Sequence, residues 1–300
     1  MEKKLKHKST GRSTGTLFIL PWIIGFLGLT LIPFICLFYF SFTHYDLLSP
    51  PKLTGLKNYM VIFTSDPKFW TSLKVTFIYA LVCTPIRLIV ALLIAMLLNT
   101  KHRMISLYRT LLYVPSIIGG SIAVAITWSK LFSRDGAFNA LVFLMTGTNP
   151  NISWIGDPKT ALGSLILMAV WQFGSPMLIF LAGLKNIPVS YYEAALVDGA
   201  SAFQRFYKIT LPLLSPVIFF NLVMQLISSF MTFTQALVIT NGGPLDTTLF
   251  YQLYVYRQGF EQFNMGYASA LSVILLLIVA VFTSFVFKSS SAWVFYTSNK

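Results

Sequence analysis

A chain of 300 residues that is 56% hydrophobic and only 10% charged, with a mean hydropathy of +0.72, lies far below the roughly 25% charge of a soluble domain. This excludes a water-soluble enzyme or binding module and implies an all-α, multi-pass membrane protein, because helices satisfy their own backbone polar groups in lipid. The net charge of +13 therefore bears on orientation in the membrane rather than on nucleic acid. Cys36 and Cys83 both fall in apolar runs, and His7, His44 and His102 are too scattered to share a helix face, so neither a disulfide framework nor a metal site is expected.

In chain order, residues 1–16 read as a basic, Ser/Thr/Gly-rich tail, followed by a first span over about 17–42. That apolar run exceeds the 7–15 residues of a signal-peptide core, so an uncleaved span is expected, with Pro21 in its first turn and Pro33 kinking it. After an external loop containing Gly55–Tyr59 (GLKNY), a second span runs over about 69–99 and encloses Arg87. A charge there costs about 2.5 to 3.5 kcal/mol, so Arg87 must face protein or a wet cavity. Packing against a neighbouring helix and a carbonyl, or a place in a transport path, both satisfy that requirement.

The third span, about 106–132, is interrupted by Pro115, Gly119 and Gly120, which permit a kink or close helix approach. Residues 133–159 form a second external segment with turn chemistry, and 161–184 form the fourth span. A polar, helix-forming linker over 189–210 comes next. Ser190 is a candidate N-cap with Glu193 completing its capping box, Gly199 a candidate left-handed C-cap, and Ala202 to Ile209 a second short helix before Pro212 opens the fifth span.

The fifth span, about 211–239, carries Asn221, Gln225, Ser228, Thr232 and Gln235 at alternating spacings of four and three, which places all five on one helix face. Polar side chains lose partners in lipid, so this stripe must face other helices or a water-filled path. Uncharged amides and hydroxyls suit a neutral polyhydroxylated cargo, and interhelical bonding is the other reading. An external turn, Thr240–Thr248, precedes a sixth span over about 266–288 and a short tail over 289–300. Basic residues fall thirteen to seven toward the face holding both termini and the linker, which places these in the cytoplasm.

No phosphate loop, nucleophile elbow or zinc-binding His pair occurs, so the chain is not expected to be an enzyme or to hydrolyse ATP. None of the nine acids lies in an expected span, which disfavours the alternative of a stand-alone, ion-coupled secondary transporter of a small polar solute.

Glu193, Ala194, Ala195, Asp198, Gly199, Ala200, Ile209, Leu211 and Pro212 match an E-A-A-x-x-D-G-A motif followed by I-x-L-P. In this the chain resembles the permease subunits of binding-protein-dependent ABC importers, and its carbohydrate branch in particular. GLKNY, YRTLLYVP at 108–115, Trp128, LAGLKNIP at 181–188 and NGGP at 241–244 extend the resemblance, the last toward the maltose-F type of first permease. Lys74 departs from the asparagine common at the start of the second span in relatives.

The resemblance implies the six-helix type I importer permease fold in a bacterial cell membrane. It also implies a second permease subunit, two ATP-binding subunits that hold ATP and Mg (none being bound by this chain), and an extracytoplasmic solute-binding protein delivering a sugar or oligosaccharide. The motif residues Glu193, Ala194, Ala195, Asp198, Gly199, Ile209, Leu211 and Pro212 would couple to the ATPase. The stripe with Arg87 would line the path, and Asn241, Gly242, Gly243 and Pro244 would meet the binding protein.

Overall fold

A computed structural model describes residues 11–100, 103–148 and 150–295. Residues 1–10 of the tail expected over 1–16, residues 296–300 of the tail expected over 289–300, and the turn residues Lys101 and His102 lie outside these. The chain divides into two compact units, one of Met1–Thr64 with Gln258–Ile274 and the other of Ser65–Arg257 with Leu275–Lys300.

In the first unit, α1 (Gly11–Phe26) continues through a π-helical turn, Leu27–Leu31, into α2 (Ile32–Ser41). The helix thus begins inside the stretch expected as a tail. Phe18–Ser41 is long and apolar enough to span a membrane. The strands Thr43–His44 and Lys52–Leu53 pair antiparallel beyond it. GLKNY acts as a staple here: Asn58 Nδ2 donates to Ser41 O (2.9 Å) and Thr43 O (2.8 Å), and Tyr59 donates to Ser41 Oγ (2.8 Å). These bonds satisfy carbonyls left open where α2 ends. Helix α3 (Lys57–Ser65) follows.

The second unit is built on α4 (Pro67–Leu97), a 31-residue helix started by Asp66, whose carboxylate accepts from the backbone of Lys68 and Phe69 at 2.9 and 3.1 Å. Its far end is closed by Arg109, which donates from Nη2 to Leu98 O at 3.1 Å, a cation at a helix C-terminus. The expected third span is instead two helices, α5 (Ile105–Ile118) and α6 (Ile122–Leu131), meeting at 97°. Gly119 and Gly120 break the ladder, and Ser121, in extended conformation, caps α6 by accepting from Val124 N.

The segment expected to be turns contains α7 (Ala137–Thr146), bounded by Gly136 and by Gly147 at φ 71°. Buried Asn139 fixes it by donating to Arg134 O and Ile152 O and accepting from Trp154 Nε1. The fourth span is also bent, by 44°, into α8 (Ala161–Trp171) and α9 (Gly174–Lys185). After α10 (Val189–Val197) the chain runs through α11 (Ala202–Arg205) and a π-helical turn into α12 (Leu211–Phe230) without interruption.

The second short helix of the linker and the fifth span are therefore one helix, Ala202–Phe230. Pro212 sits in its interior, where the π turn Phe206–Thr210 absorbs the lost hydrogen bond. A π-helical turn, Ala236–Thr240, precedes α13 (Tyr251–Tyr256), and α14 (Met265–Trp293) closes the chain. Four helices are long and apolar enough to cross a membrane, or six spans if each bent pair counts as one. The core of the second unit joins Leu88, Ala91 and Ala95 of α4 to Met177, Phe180 and Leu181 of α9 and Leu214 of α12. Small residues along α4 let the helices approach closely.

Candidate coupling surface and translocation cavity

The linker is a rigid knuckle, though not with the expected caps. Ser190 lies inside α10, whose N-cap position is Pro188 and carries no side-chain cap. Proline fixes φ at −59° and starts the helix two residues early. At its far end Gly199 takes φ 73°, Ala200 N donates to Ala195 O (2.8 Å) and Gly199 N to Leu196 O (3.1 Å). That pair of bonds is a Schellman closure, which needs the left-handed residue.

A capping box follows at once. Ser201 N donates to Gln204 Oε1 at 2.7 Å, and Gln204 N donates to Ser201 Oγ at 3.3 Å. Tyr192 and Thr210 share a hydroxyl hydrogen bond of 2.9 Å that ties α10 to the long helix. The motif residues separate by role. Glu193, Ala194, Asp198 and Gly199 are exposed, whereas Ala195, Ile209, Leu211 and Pro212 are half-buried toward the scaffold.

Beside the acids lies an apolar surface that sequence reasoning passed over. Val197 is 89% exposed, Phe203 75% and Tyr207 63%, with the last two rings stacked at 6.5 Å. Among the described residues nothing covers them. Residues that hydrophobic on a polar linker mark an interaction site.

The cavity lies in the same unit. It encloses about 420 Å³ and is lined by Tyr79 and Arg87 of α4, Ser116 of α5, Gln172 and Ser175 around the α8–α9 bend, and Gln225, Ser228, Thr232 and Gln235. Four of the five stripe residues thus converge with Arg87. Asn221 does not: it is fully buried and its Nδ2 donates to Pro176 O at 3.3 Å, a packing bond.

Nor is the stripe one helical face. Helix α12 ends at Phe230, and Met231, Thr232 and Phe233 are non-helical before the chain coils again. Residues Met231–Gln235 all line the cavity. Irregular backbone at membrane depth is tolerated where it lines a wet cavity. The break has a reason the four-three spacing could not convey.

Arg87 satisfies a carbonyl. The α8–α9 bend frees Gln172 O, which accepts from Arg87 Nε (3.0 Å), from Arg87 Nη2 and from Ser116 Oγ (2.9 Å), while Ser175 N donates to Ser116 Oγ at 3.0 Å. Arg87 thus both holds the bend and lines the cavity. Gly119 and Gly174 allow this closeness, and a Cβ on Gly174 would stand 2.8 Å from Leu112 O.

The NGGP turn is separately braced. Asn241 takes φ 45° and Gly242 φ 74°, Arg257 Nη2 donates to Asn241 O (2.7 Å) and Oδ1 (3.1 Å), and Thr248 Oγ1 donates to Gly243 O (2.6 Å). Leu245, next in sequence, is 86% exposed. No group of three or more potential metal ligands occurs among the described residues.

A family model described as the binding-protein-dependent transport system inner membrane component matches residues 61–290. A probable ABC transporter permease protein, YesP, of Bacillus subtilis (strain 168) is 55% identical over 300 residues, 99% of this chain and 97% of its own. The trehalose/maltose transport system permease protein MalF of Thermococcus litoralis is 32% identical, covering 94% of this chain and 95% of its own. Among solved structures, a bacterial ABC transporter involved in import of the acidic polysaccharide alginate superposes with a TM-score of 0.77 at 22% identity. That match covers 93% of this chain and 96% of the other. A bacterial alginate ABC transporter in complex with an alginate pentasaccharide-bound periplasmic protein superposes with a TM-score of 0.76 at 22% identity, covering 93% of this chain and 94% of the other.

Proposed function

We propose, from the premise that this chain belongs to the binding-protein-dependent transport system inner membrane component family, that it is the membrane-spanning permease of an ATP-driven sugar or oligosaccharide importer. The observation that carries this reading is the exposed α10 knuckle, joined by a tight, capped turn at Gly199–Ser201 to the helix that reaches the polar cavity. Relatives named for trehalose/maltose, lactose and starch-product transport support carbohydrate as cargo, and the hydroxyl and amide lining suits it.

In this reading ATP and Mg reside on separate ATPase subunits, and a second permease completes the path. Closure of the ATPases draws on α10 through Glu193, Asp198 and the apolar surface of Val197 and Phe203. Because Ser201 and Gln204 lock the knuckle, and Tyr192 ties it to Thr210, the displacement passes along Ala202–Phe230 to the break at Met231, where it reshapes the cavity. The spans then exchange inward-open for outward-open access. A solute-binding protein releases cargo at the outer mouth, near the braced Asn241–Pro244 turn. Both termini and α10 lie in the cytoplasm, as the thirteen-to-seven bias of basic residues supports.

The test is uptake by the complete importer carrying Gly199→Pro or Glu193→Lys. Both variants should insert into the membrane and lose most binding-protein-dependent uptake. Wild-type uptake in both would remove α10 from the coupling path.

A further inference from the structure

Resting on the sugar-import reading, we infer that the cargo of this cavity bears a carboxylate: a uronate-containing oligosaccharide rather than a neutral one. Arg87 is the one charged side chain among the fifteen lining residues, and no aspartate or glutamate stands there to oppose it. Its Nε and Nη2 are engaged with Gln172 O, while its Nη1 makes no hydrogen bond among the described residues.

A guanidinium at membrane depth is unfavourable unless carbonyls, water or an anion solvate it. Holding the α8–α9 bend does not require that charge. An uncharged amide at position 87 would donate to the same carbonyl, and Ser116 already does. The lining supplies amides and hydroxyls for a neutral sugar without Arg87: Gln225, Gln235, Ser228, Thr232 and Thr234. What the guanidinium adds is a planar donor fork whose partner is a carboxylate. Tyr79 and Phe233 also line the cavity.

The experiment uses the complete importer in proteoliposomes with its own binding protein. Cargo is a set of trisaccharides, mannuronate- and galacturonate-based, each paired with its carboxyl-reduced neutral counterpart. Wild type should take up at least one uronate trisaccharide about tenfold or more faster than its neutral partner, the scale of one charge-assisted bond. Arg87→Gln should remove that preference.

Ser228→Asp tests the charge without touching Arg87's bonds to Gln172, since Ser228 lines the cavity and makes none of them. It should slow uronate uptake roughly tenfold more than it slows uptake of the neutral trisaccharides. Neutral trisaccharides moving as fast as uronates in wild type would overturn the inference and leave sugar import standing. So would unchanged uronate uptake in Ser228→Asp. Uptake of neither class would overturn both.

Discussion

Gly199 shows how one residue type carries mechanism. At φ 73° a side chain with a Cβ is strained by roughly 1–2 kcal/mol, an amount asparagine largely escapes. Gly199→Ala should therefore reduce uptake several-fold while Gly199→Asn keeps most of it, measured at equal membrane abundance. Space is not the issue, because a Cβ there would meet nothing within 4 Å. At the other end of the burial scale, Asn139 is 2% exposed and makes three hydrogen bonds. Asn139→Ala should cost about 1–3 kcal/mol, read as a lower Tm of the purified protein.

The helix-stop character of Gly199 is legible from E-A-A-x-x-D-G alone. The partner of Arg87 is not, because Gln172 O is freed only by a bend 85 residues away that no local pattern announces.

At the scale of elements, the linker holds two S-x-x-[E/Q] patterns before two different helices, Ser190 with Glu193 and Ser201 with Gln204. Only the second forms a capping box, because Pro188 has already begun α10 ahead of Ser190. Sequence spacing cannot tell the two apart, since the first depends on where the chain leaves α9. The polar stripe is a similar case. Its four-three spacing does bring Gln225, Ser228, Thr232 and Gln235 to one cavity, but through a helix end and an irregular turn rather than along one face.

Periodicity assumes continuity, and Pro115 with Gly119 and Gly120 signals a break without giving its 97° angle. The stiffness of the knuckle rests partly on Tyr192 and Thr210. Tyr192→Phe should loosen α10 by about 1 kcal/mol and lower the sugar moved per ATP hydrolysed, measured by parallel uptake and phosphate release. A proportionate fall in both would assign the bond to folding instead.

Across the whole molecule, composition suffices for a multi-pass helical protein, because lipid leaves the backbone few choices. Span number is less legible, since bent pairs read in sequence as single apolar runs. Phe18–Ser41 is long and apolar enough to cross a membrane, and none of its most apolar stretch is buried among the described residues.

The central claim is that energy enters from outside the chain, through α10, and the most direct test is energised uptake in proteoliposomes. With the second permease, the ATPases and the loaded binding protein present, oligosaccharide should accumulate only when ATP is supplied, and removing ATP should abolish it whatever the ion gradient. Robust accumulation by the purified chain alone, driven by a proton or sodium gradient, would contradict the account.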